Sequence, residues 1–211
     1  SPSDYGTADL IMQTANLLIP IASLGITNGV FRFALDRVSQ RKTVFTGGLI
    51  TIVLGSAVLL LACPLLSYSS SLKEYAVLIC AYTLASNLHS LCAQYVRAEG
   101  KTGLFALQGI LNTALVIFFN ILFLLFFKLG VLGYVMSVVA ADGLCTLYLV
   151  LHEKLWTVCT PDPEKPLWKS MLRYSIPLIP TTIFWWITSV SDRYMIAYFL
   201  GTEANGLYAV A

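Results

Sequence analysis

Charged side chains are scarce in this chain, and three of them fall where charge is costly. Asp192 and Arg193 interrupt an apolar run from about 174 to 200, and Asp142 lies near the middle of another, from about 131 to 151. A charged group at the centre of a bilayer costs roughly 2.5–3.5 kcal/mol by insertion scales, so it usually faces a partner or a watery cavity. Arg193 therefore either lines a pathway for an anionic substrate or, about 30 Å along a helix from Arg173, snorkels at the far interface. Asp142 can carry a proton or cation, pair with a basic residue, or sit neutral and hydrogen-bonded. Asp192 is placed with it as an ion-coupling or charge-pair candidate. The uncharged candidates are Gln13, Asn16, Asn87 and Asn112, which either bond between helices or line a cavity for polar substrate groups. His89 titrates, binds substrate or bonds within a bundle.

Other chemistry is not indicated. There is no nucleophile elbow, zinc spacing or dinucleotide fingerprint, so neither an enzyme nor a cofactor or metal site is expected. Gly100-Lys101-Thr102 has the end of a phosphate-binding loop, but Tyr95 stands where that motif requires glycine. Cys63, Cys80, Cys92, Cys145 and Cys159 include no C-x-x-C pair and read as small buried hydrophobes. The basic residues are not gathered with aromatics, which argues against nucleic acid.

The elements that must hold these residues follow from composition. The chain is 57% hydrophobic and 11% charged, whereas roughly a quarter of a soluble domain is charged. The expected fold class is all-α, a polytopic transmembrane helical bundle. Apolar runs predict five helices at about 8–30, 43–66, 75–95, 104–127 and 131–151. A polar, proline-rich linker follows at 152–169, with Trp156, Leu167 and Trp168 resting at the membrane interface. A last long helix spans about 174–200, kinked near Pro177 and Pro180, and another begins near 206. Gly25 and Gly29, four apart, let the first helix approach a neighbour closely. Alternating the loops puts Arg32, Arg37, Arg41, Lys42, Arg97, Lys101, Lys154, Lys165, Lys169 and Arg173 on one side. Lys73 and Lys128 fall on the other, so the basic side is cytoplasmic by the positive-inside rule. The chain has no initiating methionine and ends within the start of a helix, as a fragment would.

The run PLIPTTIFWWITSVSDRYMIAYFLGTEANGLYAVA resembles the start of the second lobe in polysaccharide flippases of the multidrug/oligosaccharidyl-lipid/polysaccharide (MOP) exporter superfamily. YGTADLIMQTANLLIPIASLGITNGVFRF resembles the second helix of that family, and GYVMSVVAADGLCTLYLV its sixth. The resemblance implies that 1–151 is most of an N-terminal lobe lacking its first helix, and that 170–211 begins the C-terminal lobe of a two-lobe transporter. Tyr5-Gly6-Thr7 and Asn205-Gly206-Leu207, in equivalent contexts 200 residues apart, fit parallel lobes.

The implied function is flipping of polyprenyl-pyrophosphate-linked oligosaccharide repeat units across the bacterial cytoplasmic (inner) membrane, for capsule, exopolysaccharide or O-antigen assembly, by alternating access. Arg193 would meet the pyrophosphate and Gln13, Asn16, Asn87 and Asn112 the sugars, as residue chemistry suggests. The lipid bilayer is the setting. A polysaccharide polymerase and glycosyltransferases are candidate partners. The alternatives are a cation-coupled multidrug exporter of the same superfamily, using Asp142 and Trp185-Trp186, and a non-transporting scaffold for glycan-assembly enzymes.

Overall fold

A computed structural model describes residues 2–66, 75–160 and 164–210. The polar loop 67–74 with Lys73, the Cys63 and Pro64 side chains, and 161–163 of the expected linker lie outside the described residues. The helices in chain order are α1 (Pro2–Ala22), α2 (Ile26–Asp36), α3 (Arg41–Leu66), α4 (Ala76–Ala98), α5 (Thr102–Asn120), α6 (Gly130–Glu153), α7 (Lys165–Ser175), α8 (Ile179–Leu200) and α9 (Thr202–Val210). No strand occurs among the described residues. Four helical stretches are long and apolar enough to cross a membrane, and the bent α1–α2 pair makes a fifth if it is one span. The protein is a helical transmembrane bundle.

The first expected span, 8–30, is two helices meeting at 49°. Pro20 lies inside α1 and weakens its last turn, and the chain then passes through the left-handed region at Leu24 (φ 50°) and Gly25 (φ 61°). Gly29 packs where a Cβ would stand 2.6 Å from Ser175 Oγ, so the close approach of this glycine pair is to α7. The interval read as a linker is also partly helical. α7 is amphipathic, with Leu167 and Met171 buried in the core among Ile26, Val30 and Leu91. Trp168 Nε1 donates to Thr51 Oγ1 at 2.8 Å. Trp156 remains exposed.

The helix ends sort by charge. Arg41 donates to the Ala34 and Ala98 carbonyls, Gln40 to Glu164, and Lys101 to Glu99 and Glu153. These bonds gather the joints after α2, α4 and α6 and before α7 at one end, with most of the basic residues. Lys101 is thus held by two carboxylates. Desolvation lowers its pKa, but the bonds from Glu153 and Glu99 outweigh that and raise it above its ordinary value. At the opposite end Ser3 bonds Thr202 (3.0 Å), and Tyr5 packs on Tyr134 with centroids 5.6 Å apart. Along the outer flank, Leu61, Val77, Leu125 and Phe126 are more than two-thirds exposed. In water such a surface would be unfavourable by about 25 cal/mol per Å²; against lipid it is not.

Candidate functional site

α1–α2 and α7–α8 run antiparallel, and both are interrupted at the same level. Gly25 lies against the Ser175 carbonyl and Ile179, where α7 gives way to α8 through a 3-10 turn at Ile176–Leu178. Toward the non-basic end the two strands of helix are tied together repeatedly. Trp186 Nε1 donates to the Gln13 carbonyl (3.0 Å), and Tyr194 and Thr14 share a hydroxyl bond of 2.8 Å.

Between them runs a groove of three consecutive hollows. The hollow nearest the basic end, of about 470 Å³, is lined by Asn28, Phe31, Arg32, Leu35, Asp36, Tyr174, Leu178, Thr181 and Thr182. The middle one, about 240 Å³, includes Asn16, Ser23, Thr27, Asn28 and Thr182 at the helix breaks. The third, about 440 Å³, is lined by Gln13, Asn16, Thr181, Thr182, Trp185, Trp186, Ser189 and Val190. Asn28, Asn16 and Thr182 are shared between neighbours, which makes the hollows one path. The groove offers amides, hydroxyls and indole faces, with the Arg32 guanidinium at its mouth, 4.4 Å over the Tyr174 ring.

Past Val190 α1, α8 and α9 are tied by a polar latch. Arg193 Nη1 donates to Asp9 Oδ1 at 2.7 Å, and Gln13 Nε2 and Asn205 Nδ2 each reach the same carboxylate at 3.4 Å. Asp192 accepts the Arg193 backbone N–H and the Tyr208 hydroxyl. α9 presses on α1 here: a Cβ on Gly6 would stand 2.0 Å from the Thr202 carbonyl oxygen and 2.9 Å from Gly206 N. The two glycine-containing stretches 200 residues apart are helical here, not turns, and are in contact.

A second polar cluster lies away from the groove, between α4, α5 and α6. Asp142 accepts from Ser86 Oγ (2.5 Å) and Asn112 Nδ2 (2.9 Å) and faces His89 Nδ1 at 3.3 Å. His89 Nε2 meets Gln108 Oε1 at 2.6 Å. Of the sequence candidates, Gln13 and Asn16 come together in the groove with Trp185 and Trp186. Asn112 joins Asp142, and Asn87 is buried with its Nδ2 on the Ile19 carbonyl (3.3 Å). Neither lines the groove. Arg193 has the Asp9 carboxylate as its partner, and the ionisable side chain beside Asp142 is His89.

Sequence reasoning missed Asp9, which is 184 residues from its partner. The available signal was an acidic residue just inside the first apolar run. Asn28 and Thr182 carried no signal, and Arg32 was counted only as a loop charge. Among the described residues no group of three or more His, Cys, Asp or Glu could hold a metal ion.

A family model described as "Polysaccharide biosynthesis protein" matches residues 1–211. The chain belongs to the polysaccharide biosynthesis protein family. Membership is consistent with the MOP superfamily. Comparison with curated proteins found no match, and comparison with solved structures found none. A multi-pass membrane protein of polysaccharide biosynthesis handles lipid-linked precursors, and members of this family are generally transporters rather than enzymes.

Proposed function

We propose that the protein flips polyprenyl-pyrophosphate-linked oligosaccharide repeat units across the bacterial cytoplasmic membrane and performs no covalent chemistry on them. The polar groove between α1–α2 and α7–α8, with the Arg32 guanidinium at its basic end and the Arg193–Asp9 bond beyond the other, is the observation that carries this reading. With the basic end cytoplasmic, the arrangement is one state of an alternating-access cycle. The sugars are sheltered by Gln13, Asn16, Asn28 and Thr182, whose donors and acceptors replace water, while Trp185 and Trp186 offer flat faces to the rings. The polyprenyl tail stays in the bilayer. In this state Arg193 is engaged by Asp9. It becomes free to make charge-assisted bonds to pyrophosphate when the latch opens. The lobe division expected from sequence places the groove against a second lobe, which would complete its wall.

The test uses the complete gene, depleted in its host. Polyprenyl-linked oligosaccharides are assigned to leaflets with a membrane-impermeant probe. Build-up on the cytoplasmic side, relieved by the wild type and not by Asn16→Ala with Trp186→Ala, is expected. A normal leaflet distribution on depletion refutes the proposal, and drug-efflux measurements then become the next step.

A further inference from the structure

The cluster between α4, α5 and α6 sets a buried imidazole against a buried carboxylate. Gln108 Oε1 lies 2.6 Å from His89 Nε2, an arrangement that an Nε2–H donor satisfies. The other ring nitrogen, Nδ1, faces Asp142 Oδ1 at 3.3 Å. A neutral imidazole protonated at Nε2 has a lone pair at Nδ1, and a carboxylate has lone pairs throughout. Asn112 Nδ2, 2.9 Å from Asp142 Oδ1 and 3.5 Å from His89 Nδ1, is the one donor that reaches both, and a further proton between ring and carboxylate turns their own contact into a charge-assisted bond. The two side chains are 14% and 7% exposed, so the contact is largely shielded from water.

We propose that His89 and Asp142 together form a site for a single exchangeable proton, and that this proton is the ion coupled to transport. The loaded site holds a bonded pair, formally imidazolium and carboxylate. Unloading sends the proton to solvent and leaves Asp142 with Ser86 and Asn112 alone. The proton is bound and released as H⁺, with no bond to the substrate and no redox partner. Asp142 is neutralised by no other base: among the described residues no Lys or Arg ion-pairs with it. The groups facing the pair are few. α4 contributes Ser86 and, one turn away on the same face, Tyr82. α5 contributes Gln108 and Asn112, and α6 contributes Cys145, whose thiol points to the Gln108 carbonyl at 3.9 Å. α1 reaches the cluster through Asn16, which accepts from Tyr82 and does not touch the pair itself.

Asn16 also supplies the connection to the groove. The Tyr82 hydroxyl donates to Asn16 Oδ1 at 3.1 Å, and Asn16 lines two of the three hollows. A substrate that takes the Asn16 amide competes with Tyr82. The disturbance reaches Ser86, and hence Asp142, within one turn of α4. The coupling role rests on the flippase reading; the proton site itself does not.

The experiment is a pH-difference infrared titration of the purified full-length protein in nanodiscs, with choline as the only cation and then with sodium added. One step is expected, in which imidazole and carboxyl bands change together. His89→Gln and Asp142→Asn should each abolish both bands, while Asp142→Glu keeps them at a shifted midpoint and serves where the asparagine variant fails to fold. Two independent steps, or a carboxyl band that survives His89→Gln unchanged, overturn the shared proton. Displacement of the bands by sodium overturns it in favour of a metal cation. Leaflet assays under an imposed pH gradient then read the coupling. Flipping that follows the gradient in the wild type and ignores it in His89→Gln supports the role, and wild-type flipping indifferent to the gradient overturns it. Absence of flipping sinks the flippase reading and the coupling with it, while the titration result stands.

Discussion

Opening the latch should have a measurable energetic threshold. The Arg193–Asp9 bond is 2.7 Å long, with the arginine side chain 27% and the aspartate 12% exposed. A hydrogen bond to a charged group contributes about 1.5–3 kcal/mol, and breaking a fully buried pair costs about 3–5 kcal/mol. Partial exposure, and the Gln13 and Asn205 amides that remain on Asp9, place this pair near the lower range. Taking about 2 kcal/mol, Asp9→Asn should raise the population open at the non-basic end by roughly 30-fold. The assay is the rate at which an externally added, membrane-impermeant maleimide labels a cysteine at Val190, which lines the groove beneath the latch and is 6% exposed. The full-length protein is used with its other cysteines replaced. Labelling should accelerate by the stated factor in Asp9→Asn, and the reversed pair Asp9→Arg with Arg193→Asp should slow it again. An unchanged rate in Asp9→Asn, or a reversed pair no slower than the single variant, would refute the latch.

Three further outcomes follow from close contacts and charge. Gly6→Leu should separate α1 from α9, because even a Cβ would stand 2.0 Å from Thr202 O; overpacking of about 1–3 kcal/mol should lower the melting temperature and raise Val190→Cys labelling. Gly25→Ala forces a side chain into the left-handed region at φ 61°, which costs roughly 1–2 kcal/mol and should appear as a lowered melting temperature without loss of helical circular dichroism. Burial opposes the charge on Lys101, but Glu153 and Glu99 raise its pKa on balance, so its contribution is fully present below the ordinary lysine pKa and fades only as pH rises through the raised folded value. The melting-temperature difference between wild type and Lys101→Met should therefore stay flat between about pH 6 and 9, and a difference that shrinks within that window would contradict the assignment.

Parts of this architecture are legible in the residues alone. α3, α4 and α6, and α5 together with the helical turns that continue it to Phe126, coincide with the apolar runs to within about a turn, because a helix in lipid must satisfy its own backbone and cover itself with apolar side chains. The α1–α2 break was not legible. Pro20 and Gly25 each occur in unbroken membrane helices, and only the packing of Gly25 on Ser175 and Ile179 shows that this one turns. α7 was hidden for a different reason. Lys165–Ser175 is too short and too charged to resemble a membrane helix, and its apolar face is matched only by α2 and α3 in three dimensions. The candidate site divides the same way. Gln13, Asn16, Trp185 and Trp186 stand out as polar or aromatic residues within apolar runs. Asn28 and Thr182 gain meaning only as walls of one groove.

The sequence by itself determined that this is a membrane protein of the polysaccharide biosynthesis family, how its basic residues sort, and that Asp142, Asp192 and Arg193 need partners. Those are consequences of composition and order, since hydrocarbon penalises charge wherever the chain carries it. Only the tertiary structure decided the partners. Asp9 lies 184 residues from Arg193 and His89 lies 53 residues from Asp142, and no local periodicity links either pair. Their pairing depends on which helices the bundle sets side by side: close approach at Gly6, Gly25 and Gly29 holds α1–α2 against α7, α8 and α9 for the first pair, and the packing of α4 on α6 brings the second together.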